Sequence, residues 1–290
     1  QLVGIAIGLL AKDAGVAAAS TAAGTGVAVK NLLKYTRAQE QSADQVAVNL
    51  LDQARISARG LQEFFEILQD QELLVRARQD PYVVTHPLTT SRIEFIRNHV
   101  SKSPYSDNKL PTALQALHDR MVGKLKGFIN PPVQTLNEFK ADDPSVMARY
   151  ARSVAYYRDA RLSEALPIVE SLIANAPDDP YFHELKGQIL FENGKLGQAL
   201  PAYQKAVDLR PKQPLLRVGL AHVQLELNRP DLVSVALGHL EQAIRNDNTM
   251  PLSWRLAATA YGRDGKLGLS ALAHAEYNLL LGRDLDAEGQ

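Results

Sequence analysis

Two consecutive segments of the chain, residues 146–179 and 180–213, align without a gap, and each is 34 residues long. Small residues and prolines recur at the same positions, as Pro177 and Pro211 do. A repeat of this length accommodates two antiparallel helices that touch at their small residues, and the proline ends the second helix because it cannot continue the hydrogen-bond ladder. Each helix pair exposes an apolar face that only its neighbour can cover, so the repeat predicts a solenoid of stacked pairs.

The second copy matches the tetratricopeptide pattern in both spacing and residue type. The characteristic small, large, aromatic and proline positions are occupied by Gly187, Leu190, Ala199, Tyr203, Ala206 and Pro211. A third copy starts at Pro214 and a fourth near Pro251, so the third holds about three extra residues, which we expect around Arg229 to Val233. About four tetratricopeptide repeats are therefore predicted in residues 141–290.

The first helix of each repeat is expected to line a concave face that binds segments of other proteins. Four residues are candidates for that face, although each can equally be a packing or solvated residue: Tyr150, Tyr181, Arg217 and Arg255. Protein or peptide clients are therefore the expected partners. Nucleic acid is not expected, because Lys plus Arg and Asp plus Glu are equal at 32 each and give no net positive field.

The rest of the chain has helical patterns and no strand-like alternation, so the predicted fold class is all-α. Thr112 to Lys126 is predicted to be a helix with an apolar stripe, and Ser91 followed by Glu94 predicts a capping box at the start of another. The chain has no cysteine, which excludes disulfides, thiolate metal ligands and a cysteine nucleophile.

The stretch from Leu2 to Val29 is uncharged except at Lys12 and Asp13. Its first apolar run, residues 2–11, is shorter than the roughly 20 residues that span a bilayer. We interpret the stretch as close-packed core helices or as an interfacial hairpin, which would give peripheral membrane association. Full membrane spans are a less favoured alternative.

The histidines were tested for the spacing of zinc ligands, which must converge on one point. His183 and Glu184 begin like His-Glu-x-x-His, but the fifth position is Gly187 on a repeat helix, so the motif fails. The other histidines in helical patterns are interpreted as structural: His99, His118, His222, His239 and His274.

Glu40, Asp44 and His86 form the remaining candidate site. Glu40 and Asp44 lie one helical turn apart and face the same way, which by itself usually indicates a solvated surface. Their surroundings, however, resemble the bacterial zinc metallopeptidases related to HtpX and BepA. The run from Tyr35 to Asp44 is similar to the downstream zinc-ligand helix of that family, and Thr85-His86-Pro87 followed by Arg92-Ile93 resembles its Thr-His-Pro…Arg-Ile segment.

The resemblance implies a zinc site and names its residues. In that family a His-Glu-x-x-His helix supplies two ligands and the catalytic Glu, and a later helix supplies the third ligand, which matches Glu40. Asp44 and Arg92 match the residues that support the ligands from behind. His86 is implied to be a catalytic residue or a metal ligand: it polarises the substrate carbonyl, or it occupies the fourth position on the metal and silences the site.

No His-Glu-x-x-His occurs in the 290 residues. We expect it to lie upstream of Gln1, so that residues 1–140 are the C-terminal part of a zincin-like metallopeptidase domain and residues 141–290 are the repeat domain. The chain alone is predicted to be inactive, since one or two ligands cannot complete a catalytic zinc site.

The resemblance extends through the repeats, where residues 180–188 are similar to those of BepA-type members. It implies a periplasmic zinc endopeptidase that acts in envelope protein quality control or outer-membrane assembly, with Zn²⁺ as cofactor. One alternative is a non-catalytic repeat scaffold or chaperone. The other is an integral-membrane peptidase in which residues 2–29 are embedded in lipid.

Overall fold

A computed structural model describes residues 38–72 and 90–283 of the chain. These ranges contain thirteen helices and no strand, so the predicted all-α class is confirmed. The chain divides into two compact units, Gln1–Leu114 and Gln115–Gln290. The assignment of residues 1–140 to a peptidase domain and 141–290 to a repeat domain stays a prediction.

The described part of the first unit contains three helices. Helix α1 covers residues 38–53, α2 is Arg59–Glu72 and α3 is Thr90–Lys102. They enclose a small apolar core that contains Val48, Phe65, Ile93, Ile96 and Val100. The apolar residues of this core recur at helical spacing on each helix, so the packing follows from the apolar stripe that each helix presents: Val48 and Leu51 on α1, Leu61, Phe65 and Leu68 on α2, and Ile93, Ile96 and Val100 on α3.

The start predicted for α3 is wrong in one detail. Thr90 is already helical, so Ser91 lies inside the helix and does not cap it. The Ser91 hydroxyl instead accepts a hydrogen bond from the Gln41 amide over 3.5 Å. The pattern of a serine followed three residues later by a glutamate is short. It therefore also occurs inside helices, where no helix end needs a cap.

The second unit contains most of α4 (Thr112–Ile129), the short helix α5 (Pro132–Glu138) and four helix pairs. The pairs are α6 and α7 (Val146–Arg158, Leu162–Asn175), α8 and α9 (Pro180–Glu192, Leu196–Leu209), α10 and α11 (Pro214–Glu226, Pro230–Asn246), and α12 and α13 (Pro251–Arg263, Leu267–Leu280). The predicted tetratricopeptide-repeat solenoid is therefore confirmed, and four helix pairs match the number of repeats that the sequence predicts. The extra residues of the third lengthen its second helix, which has 17 residues where α7 and α9 have 14.

The ends of these helices follow from the sequence. Proline occupies the first turn of α8, α10, α11 and α12, where its missing N–H removes no hydrogen bond. After the first helix of every repeat the chain turns through one residue with positive φ: Ala160, Gly194, Asn228 and Gly265. Glycine and asparagine adopt this left-handed conformation at low cost, and the same turn recurs in each repeat.

Successive repeats interlock through Tyr203 on α9. Its ring, 7% exposed, lies against Gly187 on α8 and against Gly219 on α10. A Cβ atom added at Gly187 would lie 2.6 Å from the ring, and one added at Gly219 would lie 2.5 Å from it. The absence of both side chains therefore lets one aromatic ring fill the space between the first helices of the second and third repeats.

No helix in the described ranges is long and apolar enough to cross a membrane. Residues 2–29, for which peripheral membrane association is predicted, lie outside them.

We predict that Gly187→Ala lowers the free energy of unfolding by about 1–3 kcal/mol, because the new methyl group overpacks the site against Tyr203. The matched control is Gly238→Ala in α11, where an added Cβ meets nothing within 4 Å. That change should raise stability by about 0.5–1 kcal/mol, since alanine favours a helix interior over glycine. Urea titration of both variants measures the difference, and equal effects would contradict the interlock.

Candidate functional site

Three of the four residues that the sequence assigns to a site come together in the first unit. Arg92 on α3 donates from Nε to Oδ2 of Asp44 over 2.6 Å and from Nη2 to Oδ1 of the same carboxylate over 2.8 Å. Its third nitrogen, Nη1, lies 3.1 Å from Oε2 of Glu40. One guanidinium therefore bridges two carboxylates that lie one turn apart on α1.

This carboxylate–arginine cluster is withdrawn from solvent. The side chains of Arg92, Asp44 and Glu40 are 5%, 6% and 15% exposed. The guanidinium also stacks over the Phe65 ring, with 4.9 Å from its carbon to the ring centroid. Because two hydrogen bonds and an aromatic face fix the guanidinium, the position of the Glu40 carboxylate is fixed relative to α3 as well as α1.

The described residues provide one potential ligand of a zinc site and not a complete set of ligands. Glu40 offers a carboxylate oriented by an arginine, which is the chemistry of a supported metal ligand. Within residues 38–72 and 90–283, however, no three His, Cys, Asp or Glu side chains converge to hold a metal ion. His86, the fourth predicted site residue, lies outside the described ranges. The remaining ligands would have to come from outside these ranges.

The other histidines make contacts within the fold. His99 lies 3.3 Å from Asp52, and a ring nitrogen of His183 lies 2.8 Å from the Pro177 carbonyl oxygen. His239 lies 2.8 Å from Arg217 across α10 and α11. Burial lowers the pKa of His239, and the Arg217 charge lowers it further. These contacts account for the three histidines without a metal.

A second feature lies on the repeats, where α4 covers the first helices of the first two of them. Gly123 and Gly127 are buried against α6. A Cβ atom added at Gly123 would lie 2.6 Å from the Met147 carbonyl oxygen, and one added at Gly127 would lie 2.8 Å from Cβ of Val154. The two glycines, four residues apart, therefore let the α4 backbone lie directly on α6.

Charged side chains complete this contact. Arg120 pairs with Asp179 and places its guanidinium 4.4 Å from the Tyr181 ring centroid, and Lys124 pairs with Glu184 over 3.3 Å. From α6, Arg158 donates to the carbonyl oxygens of residues 127 and 130 over 2.9 and 2.6 Å, where α4 ends. We call the surface of α6 and α8 beneath α4 the covered face; it is defined by Tyr150, Val154, Asp179, Tyr181 and Glu184.

Tyr150 lies at the centre of the covered face. Its side chain is fully buried, yet its hydroxyl has no hydrogen-bond partner. Burial raises the pKa of Tyr150 well above its usual range, and the nearby charge of Glu184 raises it further. A buried hydroxyl without a partner costs about 1–3 kcal/mol, so α4 does not satisfy every polar group that it covers.

The four residues predicted for the binding face have different surroundings. Tyr150 and Tyr181 lie beneath α4, and Arg255 is exposed on α12. Arg217 donates to the Pro211 carbonyl over 2.5 Å and contacts His239, so it is held within its own repeat. The contact of α4 with the repeats was not predicted from the sequence. The signal that could have revealed it is the pair of glycines spaced four apart in a helical pattern.

We predict that Arg92→Met destabilises the first unit by about 3–5 kcal/mol, because it leaves a buried and a nearly buried carboxylate without their guanidinium. The control is Arg97→Met on the same helix. Arg97 pairs with Glu66 at the surface, with side chains 51% and 38% exposed, so its loss should change stability far less. Hydrogen exchange of amides in α1 and α3 reports this unit separately, and equal protection in both variants would contradict the role of the cluster.

Comparison with known families finds matches to both parts of the chain. The family model described as Peptidase family M48 matches residues 1–100, which include the carboxylate–arginine cluster. Two models described as Tetratricopeptide repeat match residues 150–214 and 190–250. Two solved structures, MamA (MSR-1) and YrrB, a tetratricopeptide-repeat protein with an unusual peptide-binding site, each have a TM-score of 0.45. They are 20% and 14% identical and cover 59% and 66% of this chain, and 98% and 96% of their own.

Two curated relatives are both named Beta-barrel assembly-enhancing protease. The protein from Yersinia pestis is 26% identical over 272 residues, which cover 90% of this chain and 54% of the relative. The protein from Escherichia coli (strain K12) is 25% identical over 289 residues, which cover 96% of this chain and 56% of the relative. The chain thus spans about half the length of these relatives. It is homologous over most of its own length to the beta-barrel assembly-enhancing proteases, with a segment that matches peptidase family M48 ahead of tetratricopeptide repeats.

Proposed function

We propose that this chain is the repeat-bearing part of a periplasmic zinc metalloendopeptidase that acts in outer-membrane protein assembly or quality control. The observation that carries the proposal is the cluster of Glu40, Asp44 and Arg92, which lies in the segment matching peptidase family M48. The names of the relatives support the link to β-barrel assembly.

In this function Glu40 and His86 would hold the zinc ion together with ligands from outside the chain. A zinc ion bound there would supply the Lewis acidity needed for peptide hydrolysis. Arg92 and Asp44 would act as positioning residues. The bidentate pair with Asp44 fixes Arg92, and Arg92 in turn restrains the Glu40 carboxylate. The Glu40 side chain is therefore already ordered before the metal binds, so metal binding does not have to order it.

The repeats would hold protein or peptide clients near this centre. Four repeats stack into one array whose first helices lie side by side, an arrangement that presents one continuous surface to an extended or helical segment. In a protease of β-barrel assembly, such a surface would select substrates by binding a segment away from the cleaved bond.

We predict that the chain of 290 residues alone does not cleave casein or a quenched fluorescent peptide and does not retain zinc. Its sequence has no His-Glu-x-x-His, and within residues 38–72 and 90–283 no three side chains converge as a catalytic zinc requires. Dialysis against a mild chelator followed by metal analysis is the measurement. Stoichiometric zinc after dialysis would contradict the proposed ligand set.

We predict that a longer chain carrying a His-Glu-x-x-His helix ahead of Gln1 is active and that Glu40→Gln abolishes its activity. The matched control is Glu66→Gln, which changes another carboxylate paired with an arginine of α3 and should leave the rate unchanged. In the same chain His86→Ala should raise the rate if His86 occupies the fourth position on the metal, as we favour. If His86 stabilises the transition state, the rate should fall about 10²- to 10³-fold.

An unchanged rate in His86→Ala, beside an inactive Glu40→Gln, would show that His86 has neither role. An inactive longer chain that nevertheless binds clients would favour the alternative function, a repeat scaffold or chaperone. That alternative is favoured by one observation, the lack of His-Glu-x-x-His in these residues.

A further inference from the structure

Helix α4 is packed with its polarity inverted. A helix that permanently covers a repeat array is expected to turn its apolar stripe inward and its charges to solvent. In α4 the apolar stripe is exposed, with Leu117, Met121 and Leu125 at 51%, 50% and 48%. By contrast, the Arg120 side chain, directed at the repeats, is only 17% exposed. Ion pairs, two glycines and the packing of Phe128 near its end hold this helix on the repeats, and the stripe of Leu117, Met121 and Leu125 contributes little.

The covered face is also imperfectly matched to α4. Its acidic residues Asp179 and Glu184 are paired with Arg120 and Lys124, but the buried Tyr150 hydroxyl between them has no partner. The glycines of α4 bring backbone rather than side chains to the neighbouring residues Met147, Ala151 and Val154. A different segment, with a polar side chain at that point, could satisfy the hydroxyl and keep both ion pairs.

We propose that the covered face is a binding site for a basic helical segment of a client, and that α4 is its built-in occupant, which such a segment displaces. The ligand has two cations four residues apart, as Arg120 and Lys124 are, and small residues where α4 has Gly123 and Gly127. This inference rests on the proposed client-binding function of the repeats and adds the ligand class and its regulation.

The face continues beyond the end of α4. An open pocket of about 510 Å³ lies there, lined by Phe128, Tyr157, Gln188 and Glu192 among others. Its lining holds one cation, Arg158, and one carboxylate, Glu192, beside the two aromatic rings, so it offers a client segment aromatic surface without net charge. A client segment can therefore contact this pocket while α4 is still in place, and then replace α4 along the covered face. Because α4 is tethered, its high local concentration weakens the apparent affinity of any competitor.

The test uses the complete 290-residue chain and a fluorescent peptide with the sequence of α4, residues 112–129. The wild-type chain should bind this peptide weakly, because its own α4 competes. The double variant Arg120→Glu, Lys124→Glu places four carboxylates together and should release α4, so it should bind the peptide at least about tenfold more tightly. The same peptide carrying the two charge reversals should not bind either chain.

The matched control is the double variant Lys205→Glu, Lys212→Glu, which makes the same change in net charge at exposed positions on and after α9. It should bind the α4 peptide as weakly as the wild type does. If the released variant binds no better than this control, or if the charge-reversed peptide binds as well as the original, α4 is a permanent part of the array and the inference is wrong.

A second measurement on the wild-type chain decides the matter if the released variant fails to fold. Raising the salt from about 0.01 M to about 1 M shortens the Debye length from about 30 Å to about 3 Å. Amides of residues 118–129 should then exchange at least about tenfold faster, and amides of α12 should not. Slow, salt-independent exchange in α4 would overturn the proposal.

Failure of this inference is distinguishable from failure of the proposed function. If the longer enzyme cleaves its clients and α4 does not exchange with the peptide, only the inference fails. If the peptide displaces α4 and the longer chain neither binds nor cleaves clients, the proposed function fails and the ligand class of the covered face stands.

Discussion

The contact of Tyr203 with Gly187 and Gly219 sets how the second and third repeats stack. One ring fills the space between the first helices of two repeats, and no side chain larger than hydrogen fits at either glycine without displacing it. This contact fixes the spacing of α8 and α10. Between the first two repeats Tyr150 of α6 packs against Phe182 of α8 in one apolar core, with ring centroids 6.0 Å apart, so α4 can contact both helices at once.

The first unit depends in a similar way on a single side chain. Arg92 joins α3 to α1 through a carboxylate 48 positions away in the chain, and the apolar residues Val48 and Ile96 pack nearby in the same small core. A buried ion pair costs desolvation, so its presence is better explained by the geometry that it imposes than by net stability. The ion pair fixes the position of the carboxylate of Glu40, which is the predicted zinc ligand.

The sequence was sufficient to predict the repeats, because a 34-residue period with glycine, tyrosine and proline at fixed offsets leaves few other folds. Family resemblance singled out Glu40, Asp44 and Arg92, which lie in contact in the first unit. Helical spacing could not have done so, because Glu40 and Asp44 alone look like a solvated face. The docking of α4 was not predictable in this way. Periodicity identified its stripe, Leu117, Met121 and Leu125, but periodicity does not say what covers a stripe, and here those residues are exposed.

The inverted polarity of α4 has a consequence for how the repeats could discriminate among segments. An apolar groove accepts any helix with a large enough apolar stripe, whereas a face held by ion pairs and close backbone contact rejects segments that lack the cations or carry bulky residues at the glycine positions. Asp179 and Glu184 would select by charge, and the shallow contact at Gly123 and Gly127 would select by size. The tethered α4 also sets a threshold for binding, because a segment replaces it only if the segment's affinity and concentration together outweigh the effective concentration of α4. The ion pairs and the glycine contacts bury little apolar surface of α4. The same features would restrict binding to few segments.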